Sequence, residues 1–229
     1  MDVDNNVFGG NMSLMNMNFQ RCVVCGKDVE TSPQVSAAQS KYTDLDFRPR
    51  GNGRFIEKNY VQYCPNCGYS SYKLDRDLLY GNRTFINEGE YKEVVQNQDL
   101  IVDAKKFYLL GLIQEKNSDK QKAATAFLRA GWFFQDNGNL EWMIKSKEKA
   151  IENMISSDFT WSNTQLVAIL VDMLRTIGKF DEAIEVINKY GFESIKEEDE
   201  IKLFKYQIKL CENKDSAVHA IYEVDQETN

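Results

Sequence analysis

The sequence predicts a small β-rich zinc ribbon followed by an all-α, tetratricopeptide-like helical repeat domain. Two Cys-x-x-Cys-Gly turns predict the first part: Cys22-Val23-Val24-Cys25-Gly26 and Cys64-Pro65-Asn66-Cys67-Gly68. Apolar residues recurring at helical spacing from Asp99 onward predict the second. A change in charge balance separates them. Residues 19–72 hold seven basic and five acidic side chains, a balance of +2, within a chain of formal net charge −7. The other residues together therefore carry −9.

Residues 1–18 are rich in Asn and Met and are expected to form a disordered tail. They contain no Lys or Arg and no continuous apolar core, so they do not read as a secretory signal. No apolar run approaches the ~20 residues of a membrane helix. The expected location is the cytoplasm.

Residues 19–72 form the predicted ribbon. A structural zinc site takes four ligands in a tetrahedron, and thiolates suit it. Cysteines separated by two residues grip one metal from a single tight turn. The following residue needs a positive φ, which Gly26 and Gly68 supply. Pro65 pre-sets the second turn. The predicted ligands are Cys22, Cys25, Cys64 and Cys67, holding one structural Zn2+. Val29, Val35, Phe55, Ile56, Tyr60 and Val61 supply material for short strands, and Tyr60–Tyr63 is expected to deliver the second turn. Two disulfides, or a thioredoxin-like redox pair, are the competing uses of these thiols. Intracellular thiols stay reduced, and a redox motif occurs once rather than as two glycine-followed turns. Four thiolates leave no open position for a catalytic water.

Between the two turns lies Asp44-Leu45-Asp46-Phe47-Arg48-Pro49-Arg50-Gly51-Asn52-Gly53-Arg54. Arg48, Arg50 and Arg54 could bind phosphate or carboxylate groups of a ligand. The plainer expectation is that Asp44 and Asp46 pair with them and fix the loop. Residues 73–98 read as a connector, with a short helix over Asp75 to Tyr80 and breakers at Gly81-Asn82 and Glu88-Gly89-Glu90.

Residues 99–229 read as helices. Leu100, Ala104, Phe107, Tyr108, Gly111 and Leu112 share one face, and Ser118 or Asp119 starts the next helix. Further helices are expected at Leu140–Ser156, Asn163–Ile177, Asp181–Tyr190, Glu197–Glu212 and Asp215–Glu223. Phe107, Leu110, Gly111, Ala123 and Phe127 fit the tetratricopeptide pattern. Val167, Leu170, Leu174, Ala183 and Ile187 fit it again, and Ile201, Phe204, Ile208, Ala217 and Ile221 a third time. The Leu140–Ser156 helix stands between two pairs as an odd insertion. An ordinary helical bundle is the alternative.

Cys-x-x-Cys-Gly, Asp-Leu-Asp-Phe-Arg-Pro-Arg, Cys-Pro-Asn-Cys-Gly-Tyr and then tetratricopeptide-like helices, in that order, resemble an uncharacterised bacterial family. That family is known only as a domain of unknown function. The resemblance is strongest over Cys22 to Tyr72. Here Ser70-Ser71-Tyr72 follows the last turn, where Ala-rich sequence is typical. The resemblance implies zinc binding at Cys22, Cys25, Cys64 and Cys67 and a bacterial, cytoplasmic setting, and it carries no activity.

The expected function is a non-enzymatic interaction or scaffold protein whose helical repeats bind a protein or peptide partner. The acidic helices favour a basic partner. Trp132, Phe133, Phe134, Trp142 and Trp161 are candidate anchors if exposed and core residues otherwise. Nucleic-acid binding through the ribbon and Arg48, Arg50 and Arg54 is the alternative; zinc with four thiolates would add about −2 to the ribbon's +2, and that near-neutral balance disfavours it. No small-molecule substrate or catalytic residue is expected. His219, the sole histidine, reads as packing or helix surface, and Cys211 as a buried small hydrophobe.

Overall fold

The computed structural model describes residues 18–32, 42–76, 82–157, 161, 163–195 and 197–227. The expectations for the 1–17 tail, for Val35 and for most of an Asp75–Tyr80 helix fall outside them.

The first cysteine turn sits at the tip of a hairpin of β1 (Asn18–Arg21) and β2 (Asp28–Thr31), paired antiparallel with Arg21 opposite Asp28. The second sits at the tip of β3 (Gln62–Tyr63) and β4 (Ser70–Ser71), with Tyr63 opposite Ser70. Asn18, expected in the tail, is the first strand residue. Phe55 and Ile56 lie not in a strand but in the short helix α1 (Asn52–Ile56), and a 3-10 turn over Glu57–Tyr60 follows it. Gly51, Asn52 and Gly53 disfavour extended pairing there.

The described part of the connector is more helical than its breakers suggest. It holds α2 (Asn82–Phe85) and α3 (Gly89–Gln96), which buries Tyr91 and Val94. Gly89, at φ 51°, opens α3 rather than interrupting it.

Then come α4 (Val102–Lys116), α5 (Lys120–Asp136), α6 (Leu140–Ile155), α7 (Thr164–Thr176), α8 (Phe180–Tyr190) and α9 (Glu198–Glu212). Asp119, Asn139 and Asn163 cap the N-termini of α5, α6 and α7 with their side chains. Gly138 and Gly178 carry the positive φ that ends the preceding helices. α5 packs along both α4 and α6, α7 pairs with α8, and α9 lies against both of those. α4 and α5 approach each other closely at Gly111. A Cβ there would stand 2.6 Å from the Phe127 ring.

The last predicted helix, over Asp215–Glu223, is absent. Residues 215–220 are irregular, and only the short α10 (Glu223–Glu227) follows. Local patterning lost to tertiary bonding here. The backbone pairs with Thr43–Leu45 through Ile221 N–H to Thr43 O at 2.9 Å and Leu45 N–H to His219 O at 3.1 Å. Arg175 Nη1 donates to the carbonyls of Asp215 and Ala217 at 2.7 and 2.8 Å. Among the described residues, no helix is long and apolar enough to cross a membrane.

Candidate metal centre

The two cysteine turns have one geometry. Cys22 N–H donates to Lys27 O and Gly26 N–H to Cys22 O, both at 2.8 Å. Cys64 N–H donates to Tyr69 O and Gly68 N–H to Cys64 O, again both at 2.8 Å. Gly26 and Gly68 have φ of 70° and 77°. The turns face each other, and the four sulfurs all lie within 4.8 Å of one another. Cys22 Sγ is 3.7 Å from Cys67 Sγ, and Cys25 Sγ is 3.6 Å from Cys64 Sγ.

Those distances separate the possible uses. A disulfide requires about 2 Å between sulfurs, and all five cysteines are free thiols. Sulfurs about 2.3 Å from a central zinc form a tetrahedron with edges of about 3.8 Å. The observed spacing fits that tetrahedron, so the four cysteines can hold a metal ion. The ion would tie together two hairpins that share no strand pairing. Burial raises the proton affinity of Cys64 and Cys67. It does the same at Cys25, where the Lys27 amide, Asn66 and neighbouring thiols outweigh it and bring the thiol down to about 7. A divalent cation would offset the cost of four buried thiolates.

The second turn is anchored to the helices. Tyr91 Oη donates to Gly68 O at 2.9 Å and accepts from Ser70 N–H at 3.2 Å. A Cβ on Gly68 would drive into the Val95 side chain of α3, whereas one on Gly26 would meet only Arg21 at an ordinary 3.8 Å. Gly68→Ala should therefore cost about 2–4 kcal/mol and Gly26→Ala about 1 kcal/mol, read from thermal unfolding of the metal-loaded protein. Equal losses would show that Val95 does not constrain the turn.

The arginine-rich loop forms a strap across the helices. Arg48 is 1% exposed. Its Nη1 and Nη2 donate to both carboxylate oxygens of Asp136 on α5 at 2.9 and 2.7 Å, and Nη1 also reaches Trp132 O at 3.3 Å. Its guanidinium lies 5.3 Å from the Trp132 ring centroid and 5.6 Å from that of Phe133, with Glu57 Oε2 at 3.6 Å from Nε. Asp44 accepts from Arg50 Nε, and from Arg54 Nη2 at 2.6 Å. The expected Asp44 pairing is present. Asp46 instead accepts from the Trp132 indole and the Arg48 amide. Arg48 is thus out of reach of any ligand, and Arg50 and Arg54 are already engaged.

Under the strap lies a buried polar network that periodicity did not reveal. Lys147 of α6, 1% exposed, donates to Gln135 Oε1 at 3.1 Å and to Thr176 Oγ1 at 2.8 Å. Asp172 accepts from Arg175 at 2.6 Å. Burial, then the charge of Asp172, pushes the Asp46 carboxyl up to about 6 against the opposing Lys147 ammonium, Trp132 indole and Arg48 amide. Burial likewise lowers the pKa of Lys147. An Asp whose folded value exceeds its unfolded value of about 3.9 holds its proton more tightly when folded, so its contribution to stability falls as pH rises through that window. Asp46→Asn should gain on the wild type by about 1 kcal/mol between pH 5 and 7 in denaturant unfolding. A gap that does not move with pH would mean Asp46 stays ionised throughout.

The remaining candidates are accounted for. Trp132, Phe133 and Phe134 are buried and Trp142 and Trp161 partly so; they belong to the core. His219 has both ring nitrogens on carboxylates, Nδ1 to Glu223 at 2.7 Å and Nε2 to Asp215 at 3.0 Å. Neither nitrogen is free to serve as a base in this arrangement. Cys211 is buried, and burial first of all pushes its thiol up to about 11. It should be the slowest of the five thiols to alkylate at pH 7.5 after chelation.

A four-thiol centre joined by a strap to stacked helices is the class of protein defined here. Compared with known proteins, the chain matches no family model, no curated protein and no solved structure.

Proposed function

We propose that this is a non-enzymatic, zinc-stapled interaction protein whose tetratricopeptide-like helices hold a protein or peptide partner. One observation carries the reading. The four sulfurs of the candidate centre all come from the protein and lie within 4.8 Å of one another, so an ion they held would have no open position for water, and its task would be to hold the fold. The helices then offer the surface. Their repeat-like patterning supports stacked pairs, and the excess of acidic residues outside the ribbon favours a basic partner. The resemblance to an uncharacterised bacterial family adds a cytoplasmic setting. Nucleic-acid binding through Arg48, Arg50 and Arg54 is the weaker reading, because Arg48 is buried and Asp44 holds the other two. The test is a peptide array followed by titration calorimetry on the full, metal-loaded chain. Basic peptides should bind, and more weakly at higher salt. If no peptide binds more tightly than about 100 μM, the reading falls.

A further inference from the structure

An open cleft of about 480 Å³ lies where the start of the strap meets the first turns of α9 and the corner before α10. Its walls are Tyr42 and Phe47 of the strap, Leu203 of α9 and Tyr222. Asp199, Glu200 and Asp225 supply three carboxylates around it. Tyr42 and Tyr222 meet edge to face, ring centroids 5.6 Å apart, and remain 46% and 41% exposed. Two large aromatic side chains left this open beside carboxylates are unusual for surface that serves only packing.

We infer that this cleft docks a cationic peptide segment, one arginine or lysine side chain lying against the exposed tyrosines with its charge towards Asp199 and Glu200. The inference rests on the interaction reading above and gives it a place. Charge complementarity selects the occupant: an anionic segment meets three carboxylates, and a purely apolar one would strip them of water without replacing it. The fold already holds two of its own guanidinium groups by the same combination. Arg48 lies over Trp132 and Phe133 with its charge on Asp136. Arg50 lies 5.8 Å from the Tyr222 ring with its charge on Asp44. Aromatic faces attract cations, and a nearby carboxylate adds direction. Arg50 is the fold's own cation beside the cleft, and its pairing with Asp44 limits the repulsion it exerts. The Lys202 ammonium stands 3.5 Å from Asp199 and 3.3 Å from Glu198 on an exposed turn, where such contacts are weak and exchange readily.

The cleft has a second property. Two of its walls belong to the strap, so it exists only while Thr43 and Leu45 stay bonded to the chain before α10. Peptide docking and strap docking are then linked, and a bound peptide should raise the unfolding temperature of the whole chain.

The probe is a fluorescein-labelled octapeptide of alternating Arg and Leu, with the corresponding Glu–Leu octapeptide as its charge-reversed control. Fluorescence anisotropy is read on the full, metal-loaded chain at two salt concentrations. The Arg–Leu peptide should bind and the Glu–Leu peptide should not. Asp199→Asn with Glu200→Gln should weaken binding roughly tenfold, and Tyr222→Ala by a few-fold. Glu141→Gln with Glu152→Gln, on the exposed face of α6, makes the same charge change elsewhere and should alter binding less than about twofold. Metal content and circular dichroism confirm that each variant is folded. Equal losses in the two double variants would mean diffuse attraction and overturn the cleft. Binding that survives every cleft variant overturns the cleft and leaves the interaction reading standing. A chain that binds neither this peptide nor any peptide of the array loses both.

Discussion

Replacing Cys64 or Cys67 by serine will release the metal and unfold the two hairpins over residues 18–71, while α4 to α9 keep their helical signal. Four thiolates in a closed tetrahedron contribute on the order of 10 kcal/mol to a small metal-dependent fold. The topology makes that loss decisive. Cys25 and Cys64 are 39 positions apart, and closing a loop of that length is worth about 4 kcal/mol as a cross-link before any coordination energy is counted. Besides the metal, the hairpins are joined by a few hydrogen bonds, among them Ser32 with the Gln62 side chain and Val23 N–H to Leu74 O, and Tyr91 anchors the second one to α3. β3 and β4 are two residues long, and no strand pairs one hairpin with the other. Isolated two-stranded hairpins are marginal in water. Metal content, circular dichroism and the number of reactive thiols should change together in the serine variants. The Cys211→Ser variant should keep a full equivalent of metal, because its thiol lies on α9 away from the centre. A Cys64→Ser protein that still holds a full equivalent with an unchanged melting curve would contradict the assignment.

Arg48→Ala should be the most damaging change outside the metal centre, at about 3–5 kcal/mol. The guanidinium is buried, spans from the strap to α5 and faces two carboxylates, Asp136 and Glu57. Truncation takes from Glu57, 3% exposed, the guanidinium it pairs with, leaving it only the charge of Arg129, and opens the space beside the Trp132 and Phe133 rings. Arg48→Lys should recover only part of the loss, since an ammonium cannot bond both Asp136 oxygens and the Trp132 carbonyl from one plane. Arg50→Ala and Arg54→Ala should each cost about 1 kcal/mol or less, because both side chains are about one-third exposed. Denaturant unfolding of the three variants gives the ranking, and limited proteolysis should cut the strap first in Arg48→Ala. Equal sensitivity of all three arginines would mean that the strap is held by diffuse charge rather than by one buried contact.

Short-range signals carried most of the sequence reading. The clustering of Cys22, Cys25, Cys64 and Cys67 was legible because a glycine-followed Cys-x-x-Cys turn is a self-contained unit whose geometry needs no distant residue. The helices from α4 to α9 were legible within one or two residues at most ends, because Asp119, Asn139 and Asn163 cap and Gly138 and Gly178 terminate by local bonds. What was not legible is the long-range bonding of the strap. Arg48 and Asp46 read as a polar loop, yet their partners are Asp136 and Trp132, 88 and 86 positions away. No local pattern marks Lys147, Asp172 and Arg175 as buried charges under it. The chain near Ala217 has helical spacing, but Arg175 and the strap take its carbonyls and amides, and it stays irregular. Gly89 looked like a breaker because a lone glycine does not reveal that a helix starts on it.

Zinc-edge X-ray absorption on freshly purified protein, with metal content measured on the same sample, tests the central claim most directly. The account predicts one zinc per chain with four sulfur neighbours at about 2.3 Å and no nitrogen or oxygen in the first shell. Less than half an equivalent of metal, or a shell containing water or imidazole, would contradict it.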